Sequence, residues 1–326
     1  MGFLKDTSSP VFIAGHRGLI GSAIVRNLRK KGFQNLILKT HKELDLQDSS
    51  AVKQFFKTTK PKYVFLAAAK VGGIKANQDG LYEFLLENMQ IQNNVIHSAY
   101  ESGVEKLLFL GSSCIYPKLA NQPLQETSLL SGPLEITNEG YAIAKIAGLK
   151  LCEYINRQKG RPFISAMPTN LYGPNDNFHP MNSHVIPGMI TKFEKAKTEK
   201  KSTVTLWGTG SPKREFLYAD DCADALVFLM DRYNESSTIN VGSGEEVTIK
   251  DLALLIKEVT GFSGDLAFDP QFPDGTPRKV LDVSKLKSLG WKPKFSLKEG
   301  IELQYSWALK HGALKNPETR VYTDDL

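Results

Sequence analysis

An α/β fold is predicted for this 326-residue chain: a doubly wound parallel sheet with helices on both faces, plus a smaller, discontinuous α/β domain. Three observations predict it. Short continuous apolar runs alternate with segments of helical periodicity through the first half, as expected of strands buried on both faces. A glycine-rich turn, Gly15-His16-Arg17-Gly18-Leu19-Ile20-Gly21, joins the first apolar run to the first helical segment. Near Tyr172-Gly173-Pro174 the alternation breaks.

The elements follow in order. "PVFIAG" is a strand, and "LIGSAIVRNLRKKG" is a helix ending at Gly32. "NLILK" is the second strand. "DSSAVKQFFKTTKP" is a helix with Asp48 or Ser49 as its cap. "KYVFLAAA" is the third strand, and "LYEFLLENMQIQNNVIHSAYESG" is a long helix stopped at Gly103. "KLLFLGSS" and "FISAMPTN" are two further strands, with a helix from about Asn138 to Lys159 between them. Beyond the break, "NDNFHPMNSH" reads as a polar loop, followed by a helix to about Lys200. "TVTLWG" is a strand outside the alternation. The helix "YADDCADALVFLMDR" and the strand "TINVG" return to the main sheet, and "DPQFPDGTPRKV" reads as a loop. The first domain is thus residues 10–178, rejoined by about 217–245. The second comprises 179–216 and 246–315, and the cleft between them is the expected ligand site.

The net charge of +6 is modest, and its one local run, Lys192 to Lys201, reads as a solvated helix face. Nothing resembles a nucleic-acid-binding module. Three cysteines without a CxxC pair, and no secretory segment, fit a reducing cytosol. No apolar run approaches the ~20 residues that span a bilayer. Residues 1–9 and roughly 315–326 are polar and expected to be loose.

The glycine turn carries a cofactor expectation. Gly15 permits the tight turn, Gly18 lets a pyrophosphate approach the backbone, and Gly21 allows close helix–strand packing. In its strand–turn–helix setting this is a Rossmann fingerprint. The second strand ends in Lys39-Thr40-His41 with no acid at the first positions, and Arg17 adds a cation, which favours NADPH. Asp45 is expected near the adenine or capping a turn. "EGYAIAKIAG" puts Tyr141 and Lys145 one helical turn apart on one face. The ammonium is expected to lower the phenol's pKa, and the phenol to exchange the proton that accompanies hydride transfer at a carbonyl.

GlyxxGlyxxGly, the strand-end Ser112 and TyrxxxLys give the chain its resemblance to the extended short-chain dehydrogenase/reductases that act on nucleotide sugars. Longer segments sharpen it from about residue 10 to 310, notably "LAAAKVGGI", "GSSCIYPK", "MPTNLYGPNDNFHP", "NSHVIP" and "PDGTPRK". The resemblance implies NADP(H), a GDP-linked 4-keto-6-deoxy sugar, 3,5-epimerisation followed by 4-keto reduction, and a homodimer, while the residues themselves predict a cytoplasmic protein without metal, nucleic acid or membrane. By position it implies Ser112, Tyr141 and Lys145 as the catalytic serine, tyrosine and lysine, and Cys114 with His184 as the acid/base pair of epimerisation. It implies Gly15 to Gly21, including His16, Leu19 and Ile20, as cofactor-lining. Leu110, Gly111, Ser112, Ser113, Lys145, Pro168, Thr169, Asn170, Leu171 and His184 line the cofactor in the same way, with Lys39 and His41 near the 2′-phosphate. Lys192, Trp207, Arg214 and Asp274 are implied substrate contacts. His41 and Lys192 stand where relatives carry arginine, and "NQDGLYEF" replaces a Tyr-Pro-Ala-Asp-Phe run.

The residues support that chemistry on their own terms. A ketone at carbon 4 acidifies carbons 3 and 5, and inversion needs a base on one face and an acid on the other. Cys114, two residues after Ser112 on an extended chain end, is expected to point the same way, and a neighbouring cation would make its thiolate a base. His184 titrates near neutrality and can supply the opposing proton. Cys152 and Cys222 read as small buried hydrophobes. His179 and His184 lack a third metal ligand at sensible spacing, His16 reads as loop structure, and Trp207 suits either base stacking or core packing. A 4,6-dehydratase would place a carboxylate where "SSCIYP" stands. A simple 4-epimerase would need no thiol–histidine pair, and a non-catalytic NADP-binding regulator would not need the full set.

Overall fold

The computed structural model describes residues 2–180, 182–272 and 274–323. The first half alternates as the sequence predicts, apart from the unexpected short α3: β1 (Val11–Ala14), α1 (Leu19–Lys30), β2 (Leu36–Ile37), α2 (Ser49–Thr59), β3 (Tyr63–Leu66), α3 (Ile74–Asp79), α4 (Leu81–Glu101), β4 (Lys106–Leu110), α5 (Glu139–Lys159) and β5 (Phe163–Pro168). The second half holds β6 (Asn170–Tyr172), α6 (Val185–Thr198), β7 (Thr203–Trp207), β8 (Lys213–Tyr218), α7 (Ala219–Arg232), β9 (Ile239–Val241), β10 (Glu246–Thr248), α8 (Ile249–Thr260), β11 (Asp265–Asp269), β12 (Arg278–Lys279), α9 (Ser284–Ser288) and α10 (Leu297–Lys310).

Six strands form a fully parallel sheet in the order β2-β1-β3-β4-β5-β9. Alternation within β1 shows why it is covered on both faces. Val11 and Ile13 enter one core with α1 and α7, including Ile24, Leu28 and Leu226. Phe12 and Ala14 enter the other with α2, α4 and α5, including Phe56, Ile96 and Leu149. Asp48 caps α2 by accepting from the Ser50 and Ala51 amides. This is a Rossmann-like sheet.

A third core gathers Tyr172, Ile190, Phe193, Leu206, Phe216, Leu252 and Ile301 around α6, α8 and α10. Its strands form two small sheets. In one, β10, β8 and β12 are neighbours and β6 also pairs with β8; in the other, β11 pairs with β7.

Several expectations are corrected. "FISAMPTN" is not one strand, because the chain leaves the main sheet after Pro168 and β6 pairs in parallel with β8. β2 is only Leu36–Ile37. "DPQFPDGTPRKV" is not all loop, since β12 pairs with β8. The ends are tied down where described: Phe3 is buried and its ring stacks on Phe33 at 4.8 Å, and Thr323 bonds Asn175. Met1 and residues 324–326 lie outside the described residues.

Candidate active site

The glycine turn sits where the sheet order reverses between β1 and β3, the point at which open α/β sheets bind ligands. Gly15 has φ +84°, and a Cβ there would come 2.8 Å from the Ala68 backbone. A Cβ on Gly21 would lie 2.0 Å from the Gly15 carbonyl oxygen. Gly18 is the N-cap of α1, with no side-chain cap and no acid in the first turn. The early helix amides therefore face an anion site that no carboxylate contests, so the turn fits a dinucleotide pyrophosphate. His16 is buried, while Arg17 is exposed. Lys39 and His41 also lie exposed beyond β2, but each has an acid nearby: Lys39 Nζ is 3.7 Å from Glu43, and His41 Nδ1 is 3.6 Å from Asp45. The acids missing from the strand end are thus supplied within the following turn, where Asp45 also accepts from the Gln47 amide at 2.9 Å.

Four expected catalytic residues converge at the end of β4. Lys145 Nζ donates to the Leu110 carbonyl at 2.8 Å and lies 5.7 Å from the centre of the Tyr141 ring. Ser112 lies close enough to Tyr141 to act on its phenol, and the Cys114 thiol acts electrostatically on the same group. The chain is not extended here. Ser113–Ile115 form a single 3₁₀ turn capped by Ser112 Oγ, which accepts from the Cys114 amide at 3.3 Å. Capping, not strand alternation, brings the thiol alongside the serine. Burial, then the Cys114 charge, push the Tyr141 phenol up despite the opposing effect of Ser112, which corrects the expectation that Lys145 lowers it. Burial also lowers Lys145, to about 7.

Lys279 was not expected here. Its Nζ lies 3.7 Å from Cys114 Sγ, contributed by β12 from 165 positions along the chain. This is a cation of the kind that a basic thiol requires. A two-residue strand has no visible period, and a contact of that sequence separation leaves no local signal.

His184 is the N-cap residue of α6, and its Nδ1 faces buried Asp176 at 3.9 Å. Partial desolvation opposes its protonation, although 49% of the side chain stays accessible, and Asp176 outweighs it and holds the imidazole above its ordinary value. The preceding Ser183 packs on the "KVGG" turn, where a Cβ on Gly73 would come 3.1 Å from the Ser183 oxygen. A Cβ on the adjacent Gly72 would press on Phe84, whose ring meets Tyr141 edge-on at 6.4 Å. Two glycines thus let one turn fill the space between the His184 loop and the tyrosine.

Further residues fall into two groups. Pro168, Thr169 and Asn170 serve the junction of the sheets, with the Thr169 hydroxyl and Asn170 amide donating to the Glu215 carbonyl at 3.2 and 2.9 Å, and Leu171 packs on the first core. Gly111 continues β4 by donating to the Ala166 carbonyl at 2.9 Å, and Ser113 is buried. At the other end, Trp207 is 57% exposed, so it is no core residue. It stacks on Phe272 at 4.7 Å, with Lys192 Nζ 5.4 Å from its ring centre. Asp274 accepts from the Thr209 amide and hydroxyl at 2.7 and 2.8 Å, and its charge acts on half-buried Arg214. Among the described residues no group of three or more His, Cys, Asp or Glu side chains could hold a metal ion.

The chain belongs to the NAD dependent epimerase/dehydratase family, whose model matches residues 11–242. It is 60% identical to "GDP-L-fucose synthase 1" of Arabidopsis thaliana over 94% of this chain and 95% of that protein. It is 53% identical to "GDP-L-fucose synthase" of Escherichia coli over 92% and 97%. Among solved structures, a GDP-L-fucose synthetase from Naegleria fowleri bound to NADP is similar with a TM-score of 0.87, at 29% identity over 95% of this chain and 96% of that one.

Proposed function

We propose that this chain acts as a GDP-L-fucose synthase, converting GDP-4-keto-6-deoxy-D-mannose to GDP-L-fucose by epimerisation at carbons 3 and 5 and reduction at carbon 4. The observation that carries this reading is the Cys114 thiol with Lys279 Nζ at 3.7 Å, beside a serine–tyrosine pair suited to a carbonyl oxygen. A reductase or 4-epimerase has no use for such a thiol, and a 4,6-dehydratase would put a carboxylate there. The names of relatives 53% and 60% identical support the same activity.

In this reading Cys114 takes a proton from the carbon beside the ketone, with Lys279 balancing the thiolate. His184 returns a proton from the opposite face. Ser112 and Tyr141 hydrogen-bond the carbonyl oxygen and stabilise the enolate. NADPH, when bound, supplies the hydride that reduces the same carbonyl. Tyr141 delivers the proton to oxygen, since burial keeps its phenol protonated well above neutrality. Lys145 orients the cofactor ribose. Gly15 to Gly21 and the amides at the start of α1 hold the pyrophosphate, while Arg17 and Lys39 favour a 2′-phosphate. Leu110 to Ser113 and Pro168 to Leu171 border the nicotinamide end. Trp207 offers an exposed face to the guanine, Lys192 and Arg214 attract the diphosphate, and Asp274 fixes the Arg214 side of the cleft.

The same reading takes residues 10–178 with 217–245 as the cofactor domain, and 179–216 with 246–315 as the substrate domain. It places a homodimer in the cytosol. Three free cysteines, no described helix long and apolar enough to cross a membrane, and exposed apolar side chains on α4 and α5 support it. The test is NADPH oxidation with GDP-, dTDP- and UDP-linked 4-keto-6-deoxy sugars. The GDP sugar should be consumed with an L-fucosyl product. Equal rates for all three bases would overturn the base assignment, and a product of unchanged configuration at carbons 3 and 5 would overturn the epimerase.

A further inference from the structure

We propose that Asp176 is the positioning residue of His184, and that the C-terminal segment holds Asp176 in place by gripping Asn175 through Arg320 and Thr323. The proposal rests on the reading of His184 as a proton donor in epimerisation.

Asp176 is 4% exposed. A buried carboxylate is costly unless hydrogen-bonded or paired. Its Oδ1 accepts from the Asn177 amide at 2.8 Å, and its Oδ2 from Gln304 Nε2 on α10 at 3.4 Å. The remaining direction of Oδ1 is toward His184 Nδ1 at 3.9 Å. That distance exceeds a hydrogen bond, and catalytic contacts are commonly long before substrate arrives. A carboxylate on Nδ1 fixes which ring nitrogen carries the proton and which way the ring faces, leaving Nε2 for the reaction. The His184 side chain makes no cap bond to α6, so nothing in helix capping competes for it.

Asn175 is 1% exposed and has φ +63°, a left-handed conformation that asparagine tolerates better than most residues. Its Oδ1 accepts from both the amide and hydroxyl of Thr323 at 3.2 Å. Its carbonyl, in the peptide leading directly to Asp176, accepts from Arg320 Nη2 at 3.2 Å. The tail therefore sets the peptide plane from which the Asp176 side chain starts. On the other side, close packing of Ser183 on Gly73 holds the chain just before His184. The charged groups acting on His184 are the Asp176 carboxylate and the Arg320 guanidinium, with opposite effects.

The test uses full-length protein and two readouts: solvent deuterium entry at carbons 3 and 5 of the GDP-4-keto sugar without NADPH, and the NMR titration of the His184 imidazole. Asp176→Asn keeps shape and removes charge. It should slow exchange at the carbon served by His184 by about ten- to a hundredfold and lower the imidazole midpoint. The double variant Arg320→Lys with Thr323→Val keeps the charge and weakens the grip, removing the Thr323 hydroxyl bond and the guanidinium bond while the Thr323 amide bond remains. It should also lower the midpoint and slow exchange at that carbon several-fold, an effect a purely structural tail would not produce. His184→Ala separates the two levels. If it exchanges at the parent rate at both carbons, the reading of His184 fails. If it loses exchange while Asp176→Asn keeps the parent rate and midpoint, the positioning role fails and the reading stands. Should Asp176→Asn not fold, the tail variant decides, and parent values there overturn the proposal.

Discussion

In the proposed mechanism Cys114 takes a proton from carbon and Tyr141 gives one to oxygen, so their variants should separate. Cys114→Ala is expected to slow deuterium entry at carbons 3 and 5 by about 10²–10⁴-fold, the range of a lost general base. NADPH binding should survive, because the glycine turn and Lys145 are untouched; titration of NADPH fluorescence checks this. Lys279→Met should slow the same exchange at least about fivefold. One charge pair at 4 Å is worth about 1 kcal/mol even at the dielectric of water, and more in a protein. Parent-rate exchange in both variants would make the thiol structural. Tyr141→Phe should cost about 10²–10⁴-fold in NADPH-dependent reduction with unchanged circular dichroism, and near-normal turnover would exclude the phenol as donor. At this scale the proximity of Ser112, Cys114, Tyr141 and Lys145 was legible, because all four flank one strand end and one helix turn. The approach of Lys279 to Cys114, from 165 positions away, and of Asp176 to His184, across an irregular loop, was not legible. Nor was the direction of the Tyr141 shift, which depends on burial.

Among elements, the main-sheet strands and their helices were legible, while β8, six residues long and mostly buried, was not read as a strand. β1, β3, β4 and β5 were visible because their four to six residues are almost entirely apolar, and α5 because its periodicity runs to Gly160. β6 and β12, three and two residues long, were not, because neither is long enough to display a period. Element docking was equally hidden. Asp224 on α7 binds Lys31 Nζ at 3.0 Å after α1, Lys294 Nζ at 3.1 Å and Trp291 Nε1 at 3.3 Å before α10. Burial pushes its carboxyl up, yet the bonds from Lys31, Lys294 and Asn27 prevail and hold it at about 2. A carboxyl depressed in the folded state contributes stability above its unfolded value, near 4, and loses it as pH falls toward 2. Asp224→Asn should therefore cost about 2 kcal/mol at pH 7, with the gap from the parent closing as pH falls from about 4 toward 2. Urea unfolding at pH 7, 4 and 2.5 measures this, and a pH-independent gap would assign the loss to packing rather than charge.

At the scale of the whole molecule, exposed apolar side chains stand on both α4 and α5, which pack against each other beside the main sheet. Tyr82 and Leu86, four apart on α4, are 69% and 39% exposed, and Ile143 and Tyr154, eleven apart on α5, are 43% and 48% exposed. Both spacings keep each pair on one helix face. Apolar groups gathered on neighbouring helices are more informative than scattered ones, since such patches mark interfaces. A two-fold axis beside these helices would lay these side chains on their own copies, the isologous arrangement that closes into a dimer. The same α5 carries Tyr141 and Lys145, so a dimer would brace the helix that presents the proton donor. Leu86→Asp with Ile143→Asp puts two carboxylates into that contact. Sedimentation velocity at micromolar concentration should show the parent as a dimer and the double variant as a monomer. Parent thermal stability should rise with protein concentration, as linkage to association requires, while that of the variant should not. A parent that sediments as a monomer, with a melting temperature independent of concentration, would leave these side chains without a partner and overturn the dimer.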